Sequence, residues 1–202
     1  MTEDALEGVL RDAQRIGLLG RDPVRRHIEH ASAWADALVP DRFLDLGSGA
    51  GVPGLVLAWI WPEVEGVLLD GQVKRAAWLR AAVARLGLHH RITVVEGRAE
   101  ELAHGPGLRE AFPLVVARGF GPPATTAEIG SGFVTTGGSL TVSEPPQPDP
   151  DRWPAAELST LGLEIFSEVV QSGGRFVILR KHSPLDEHLP RQRGLPLRNP
   201  LW

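Results

Sequence analysis

The chain has no cysteine among its 202 residues, so disulfides and thiolate metal sites are excluded. No apolar run approaches the ~20 residues that a membrane-spanning helix needs. The first twenty residues mix acids with arginines, which is not the pattern of a signal peptide. These absences point to a cytoplasmic chain. There is no excess of positive charge either: the net charge is −4, which excludes a uniformly basic nucleic-acid binder but leaves room for a local basic patch. The seven histidines show no metal-ligand spacing, and no Ser-His-Asp or Cys-His set is visible. What is present is ordinary for a globular fold, 43% hydrophobic and 23% charged, with a length that suits one domain plus a small appendage.

The apolar pattern divides the chain. Residues 1–19 read as an amphipathic helix through Leu6, Val9, Leu10 and Ala13, with Gly20 as its stop. A second helix is expected over 23–38, with Asp22 as N-cap, Pro23 at the first helical position and Leu38 on its apolar face. From Arg42 the texture alternates between strand and helix. Strands are expected at 42–47, 66–69, 92–95, 114–117 and 139–142, and helices at 53–60, 72–86 and from Pro122-Pro123 onward. The segment with Pro145, Pro146, Pro148, Pro150 and Pro154 reads as an extended loop before a short helix over 154–161. Two further strand-like runs, Leu163–Val170 and Arg175–Arg180, are joined only by Gln171, Ser172, Gly173 and Gly174. So short a link forbids a crossover and makes an antiparallel hairpin. The expected architecture is an α/β fold with a mostly parallel seven-stranded sheet. It divides into an N-terminal helical cap (1–40), a sheet domain (41–182) and a basic, proline-bracketed tail (183–202).

The stretch Asp41–Gly54 organises the rest. An apolar strand carrying Phe43, Leu44 and Leu46 runs into glycines at 47, 49, 51 and 54, and an apolar helix follows at once. Glycine permits positive φ and lets a ligand approach bare backbone, and a helix N-terminus offers unpaired N–H groups. The spacing Gly49-x-Gly51-x-x-Gly54, with Asp70 near the offset of a ribose-binding acid, also satisfies a dinucleotide fingerprint, so a nicotinamide or flavin enzyme stays open on this ground. Asp45 inside the strand favours a cofactor with a cationic end, S-adenosylmethionine, because a pyrophosphate would repel it. The terminal hairpin favours it too, since dinucleotide folds continue parallel. The structural alternatives are a turn acid for Asp70 and a buried, hydrogen-bonded acid for Asp45.

Four segments together resemble the RsmG (GidB) family, whose members methylate guanine N7 in small-subunit (16S) ribosomal RNA. They are Leu44–Gly54, Leu69–Arg75, Gly97–Glu101 and Ala117–Phe120. Arg26-His27 resembles an Arg-His pair ahead of the family's first strand, and Pro190–Leu201 resembles its basic tail. The resemblance implies a Rossmann-like class I methyltransferase fold with N-terminal helices, S-adenosyl-L-methionine as cofactor and ribosomal RNA or the 30S particle as partner. It implies a cofactor site of Asp45, Gly47, Gly49, Gly51, Val52, Asp70, Ala99, Glu100 and Arg118. Asp70 would hold the ribose, Ala99 and Glu100 would flank the adenine, and Arg118 would position cofactor and substrate. No metal is implied. Arg191, Arg193 and Arg198 would meet RNA phosphates, in a late basic cluster with Arg175, Arg180 and Lys181. Trp153 and Trp202 are expected to serve packing rather than base stacking.

The chain also departs from that family. After the fifth strand a Leu-Lys-Gly-like stretch is replaced by Val142-Ser-Glu-Pro-Pro146, so a cation is lost and Glu144 is expected to face the incoming RNA. This leaves two further readings open: the same fold and cofactor with another acceptor, or a non-catalytic RNA-binding relative.

Overall fold

The computed structural model describes residues 1–35, 39–171 and 173–202. The expected positions of Leu38 in the second helix and Ser172 in the hairpin turn lie outside the described residues.

Two helices open the chain. α1 (Glu3–Arg15) starts where the Thr2 hydroxyl accepts from the Ala5 N–H, and it buries Leu6, Val9, Leu10 and Ala13. α2 covers Val24–Ser32, with Pro23 at the cap position. The helix therefore starts one residue later than expected, and Asp22 is not its cap. The extended ψ of 134° at Pro23 keeps that residue out of the helix.

The alternating part follows as β1 (Arg42–Leu46), α3 (Gly54–Ile60), β2 (Glu65–Asp70), α4 (Val73–Arg85) and β3 (Ile92–Glu96). It continues with α5 (Ala99–Leu102), β4 (Phe112–Ala117), α6 (Pro123–Ser131) and β5 (Val134–Glu144). α7 (Ala155–Thr160), β6 (Leu163–Gln171), β7 (Gly174–Lys181) and α8 (Leu195–Arg198) complete the chain. Three differences from the sequence expectation stand out. β5 begins five residues earlier than expected, because Gly137 (φ 86°) and Gly138 let the strand bend past Pro113, where the β4–β5 register shifts. The proline loop contains a 3-10 turn at Pro150–Arg152, held by the Asp149 carboxylate. α8 was not expected at all: its four residues carry no period.

The seven strands run in the order β3-β2-β1-β4-β5-β7-β6. β1 to β5 are mutually parallel, and β7 is antiparallel to both β5 and β6. Alternation along each strand sends side chains to opposite faces. Phe43, Val116 and Phe176 face α1, α2, α3 and α4. Leu44, Leu46, Val115, Leu140 and Leu179 face α6, α7 and the segment after β7. Each fully buried apolar side chain of this kind contributes roughly 1.5–3 kcal/mol, so the two layers fix where every strand ends. Those ends position the site.

Candidate active site

β1 and β4 are neighbours in the sheet but not in sequence, so the strand order reverses direction between them. In an open parallel sheet, ligands bind beyond the carboxyl ends of the strands at such a reversal. Two cavities lie there. One, of about 240 Å³, is lined by Gly47, Asp70, Ala99, Glu100, Phe120 and Thr125, with Pro196 and Leu197 of α8. The other, of about 200 Å³, is lined by Gly47, Ser48, Gly49, Val52 and Arg118, with Leu18 and Leu19 from the α1–α2 connection. They share Gly47, Arg75 and Gly119.

The glycine loop joins them. Gly47, Gly49 and Gly51 have φ of 73°, 58° and 94°, conformations that side chains disfavour. The Phe120 ring lies so close to Gly47 that an added Cβ would sit 2.7 Å from its Cδ2. At Gly51 an added Cβ would instead meet Leu55 of α3. Asp70 ends β2 and fixes the loop from the side: its carboxylate accepts from the Gly49 N–H at 2.9 Å and the Gln72 N–H at 2.8 Å.

Asp45 lies beneath the loop. It is 1% exposed and lines neither cavity. Its Oδ2 accepts from the Ser48 hydroxyl at 2.6 Å and the Gly54 N–H at 2.9 Å, so it clasps the loop from beneath. Burial pushes its pKa up to about 6, against the two hydrogen bonds and Arg118.

Arg118 follows β4. Its Nη2 donates to His27 Nδ1 at 2.8 Å, which leaves the His27 Nε2–H to donate to the Gly20 carbonyl at 3.2 Å. The second guanidinium nitrogen, Nη1, is buried without a partner among the described residues. Burial lowers the pKa of His27, and Arg118 adds to that, so the imidazole is neutral at pH 7. His30 stands beside them, with Nε2 at 3.2 Å from the Ser143 hydroxyl at the end of β5. Burial, then Arg118 and His27, pull its pKa down to about 4.

On the other side, Glu100 is 4% exposed and its Oε1 accepts from the Gly194 N–H at 2.9 Å and Arg98 Nη2 at 3.0 Å. Burial raises its pKa, but hydrogen bonds from its own N–H, Gly194 and Arg98 outweigh that and hold it below the usual range.

The late basic residues do not form one patch. Lys181 is fully buried, donating to the Ser131 carbonyl and paired with Glu110 at 2.7 Å. Arg191 donates to Glu128 through Nε, Nη2 and its backbone N–H, at 2.6 to 2.9 Å. Arg175 lies 3.7 Å from Glu168, and Arg180 stacks over Phe166. Arg193 and Arg198 remain exposed. Glu144 does not face incoming RNA as expected: its side chain is 4% exposed and paired with Arg152 at 2.9 Å, which neutralises it. Trp153 is buried, and the Trp202 indole donates to the Arg152 carbonyl, so both serve packing as expected.

The sequence reading missed four participants: Ser48, the Leu18-Leu19 segment, Glu128 and Thr125. Ser48 was legible from its place inside the glycine loop. The others carry no local signal, because their partners lie far along the chain.

Known proteins match this chain along most of its length. The model of the family described as GidB, rRNA small subunit methyltransferase G, matches residues 11–144. The ribosomal RNA small subunit methyltransferase G of Moorella thermoacetica is 35% identical over 167 residues, covering 79% of this chain and 69% of that protein. The protein of that name from Roseiflexus castenholzii is 33% identical over 191 residues, covering 90% and 80%. Among solved structures, cofactor-bound Rv0187 from MTB superposes with a TM-score of 0.60 at 18% identity, covering 90% of this chain and 91% of that one. An O-methyltransferase family protein from Burkholderia thailandensis gives 0.60 at 15% identity, covering 89% and 59%. The structural likenesses show a shared class I methyltransferase fold.

Proposed function

The chain belongs to the GidB family of small-subunit ribosomal RNA methyltransferases, which use S-adenosylmethionine, and from that premise we propose that it methylates N7 of a guanine in 16S ribosomal RNA. The dinucleotide reading left open by the glycine spacing falls away with this membership and with the antiparallel β7. The observation that carries the proposal is the convergence of the glycine loop, Asp70, Ala99-Glu100 and Arg118 on two adjoining cavities at the sheet's reversal point.

The residues present fit the cofactor. Gly47 and Gly49 offer bare backbone. Asp70 keeps carboxylate lone pairs free for ribose hydroxyls beyond its two backbone bonds. The orphaned Arg118 Nη1 suits the methionine carboxylate, a charge-assisted contact. Ala99 and Glu100 flank the adenine subsite.

When bound, S-adenosylmethionine supplies a methyl group on a sulfonium that leaves as a neutral thioether. Guanine N7 carries a free lone pair, so the N–C bond forms as the C–S bond breaks, the positive charge passes to the purine, and no proton has to be removed. No general base is then required of the protein, and alignment and electrostatics carry the catalysis. Arg118, steered by neutral His27, fixes one end of the cofactor, while Asp70 and the adenine subsite fix the other. Exposed Arg193 and Arg198, with exposed Arg98 and half-buried Arg75 at the cavity, would supply cations for RNA phosphates. Binding through them should weaken steeply with salt.

The test is incubation of purified protein with methyl-labelled S-adenosylmethionine and 30S particles from cells lacking the enzyme. Label in 7-methylguanosine is the expected result. Label in another nucleoside would move the acceptor, and no label in RNA would remove it.

A further inference from the structure

We propose that residues 191–202 form a wall of the cofactor site, so that docking of the C-terminal segment and binding of S-adenosylmethionine reinforce each other. The proposal rests on the reading above and goes beyond it: the family model ends at Glu144, and the tail was expected to meet RNA instead.

Three contacts tie this segment to the adenine side. Glu128 on α6 is fully buried, and its carboxylate is satisfied by Arg191, through Nε, Nη2 and the backbone N–H. A charge so deep is tolerated only when paired, so the pair sets where the tail must lie. Three residues on, Gly194 takes φ 74°, which only glycine adopts readily, and turns its N–H onto Glu100 at 2.9 Å. The chain then forms α8, where the Pro196 carbonyl accepts from the Thr125 hydroxyl at 3.0 Å. That bond brings Pro196 and Leu197 to the cavity they share with Asp70, Ala99 and Glu100.

Leu197 shows why the coupling runs both ways. It lines the cavity with its apolar side chain 59% exposed. An adenine seated against it would cover that surface, and the ligand would bind the docked tail better than a released one. A ligand shifts an equilibrium by its differential affinity for the two states, and the coupling is reciprocal.

The experiment compares the full chain with a version ending at Arg191, which keeps the Glu128 pair and removes Gly194, Pro196 and Leu197. Both are titrated calorimetrically with S-adenosylhomocysteine. Loss of roughly tenfold or more in affinity is expected, the size that follows removal of a charge-held hydrogen bond and its neighbours. Tryptic cleavage after exposed Arg193 in the full chain should slow when S-adenosylhomocysteine is present. Equal affinity of the folded short chain overturns the inference and leaves the methyltransferase reading standing. A full chain that binds no S-adenosylhomocysteine overturns both. Should the short chain not fold, tryptic protection and Leu197→Ala decide: unchanged cleavage together with unchanged affinity overturns the proposal.

Discussion

At the scale of single residues, the site depends on a few buried polar groups whose partners are fixed. His27 is one. As an acceptor at Nδ1 it holds Arg118, and through Nε2 it holds Gly20. Replacing His27 by Phe removes both bonds, and affinity for S-adenosylhomocysteine should fall about tenfold or more, the worth of a hydrogen bond to a charged group. Unchanged affinity in a calorimetric titration would mean that Arg118 is positioned without it. Arg191→Met leaves the Glu128 carboxylate buried and unpaired, which should cost about 3–5 kcal/mol in urea unfolding. The histidines also predict a pH dependence. His30 falls from 6.5 to about 4 on folding, so the unfolded chain takes up the proton first as pH drops. Its contribution is therefore present above pH 6.5 and lost as pH falls towards 4. Buried Asp45, raised from 3.8 to about 6, acts in the opposite direction over an overlapping window. His30→Gln should thus lose less stability than the parent between pH 7 and pH 5, measured by urea unfolding at each pH.

At the scale of elements, the glycine loop is the joint between β1 and α3, and its geometry leaves no room for side chains. A Cβ on Gly54 would lie 2.3 Å from Leu68 Cδ2 and 2.6 Å from Asp45 Oδ2. Gly54→Ala should therefore destabilise by about 1–3 kcal/mol, the cost of overpacking, read as a lowered Tm. The Gly47, Gly49 and Asp70 constellation was legible in the sequence because strand, turn and helix N-terminus are contiguous and the acid ends the next strand. Alternation and short links likewise made the mostly parallel sheet and the hairpin legible, whereas the order of strands across the sheet is read only from the structure. Three contacts were not legible. His27–Arg118, Glu128–Arg191 and Gly194–Glu100 join residues 91, 63 and 94 positions apart, so no local pattern marks them. The position of Asp45 in the strand is legible, but the direction of its carboxylate depends on where Ser48 and Gly54 fold back. The burial of Glu144 is not legible because its neutralising partner, Arg152, sits eight residues on, in the 3-10 turn inside the proline loop.

At the scale of the whole molecule, both ends of the chain reach the two adjoining cavities at the sheet's reversal point. The N-terminal helices bring Leu18, Leu19 and His27 to the Arg118 side, and the C-terminal segment brings Pro196 and Leu197 to the Asp70 side. S-adenosylhomocysteine at about a hundred times its Kd should stabilise the fold by about 2.7 kcal/mol, seen as a raised Tm. With a net charge of −4, the proposed contact with RNA phosphates calls for a local rim of cations rather than a uniformly basic surface. The central claim is that this rim and these cavities deliver a methyl group to guanine N7 of small-subunit ribosomal RNA. Mass spectrometry of that RNA from cells lacking the chain, with and without the chain restored, tests it most directly. The account predicts one guanine that loses its N7 methyl group and regains it on restoration; full methylation in the absence of the chain would contradict it.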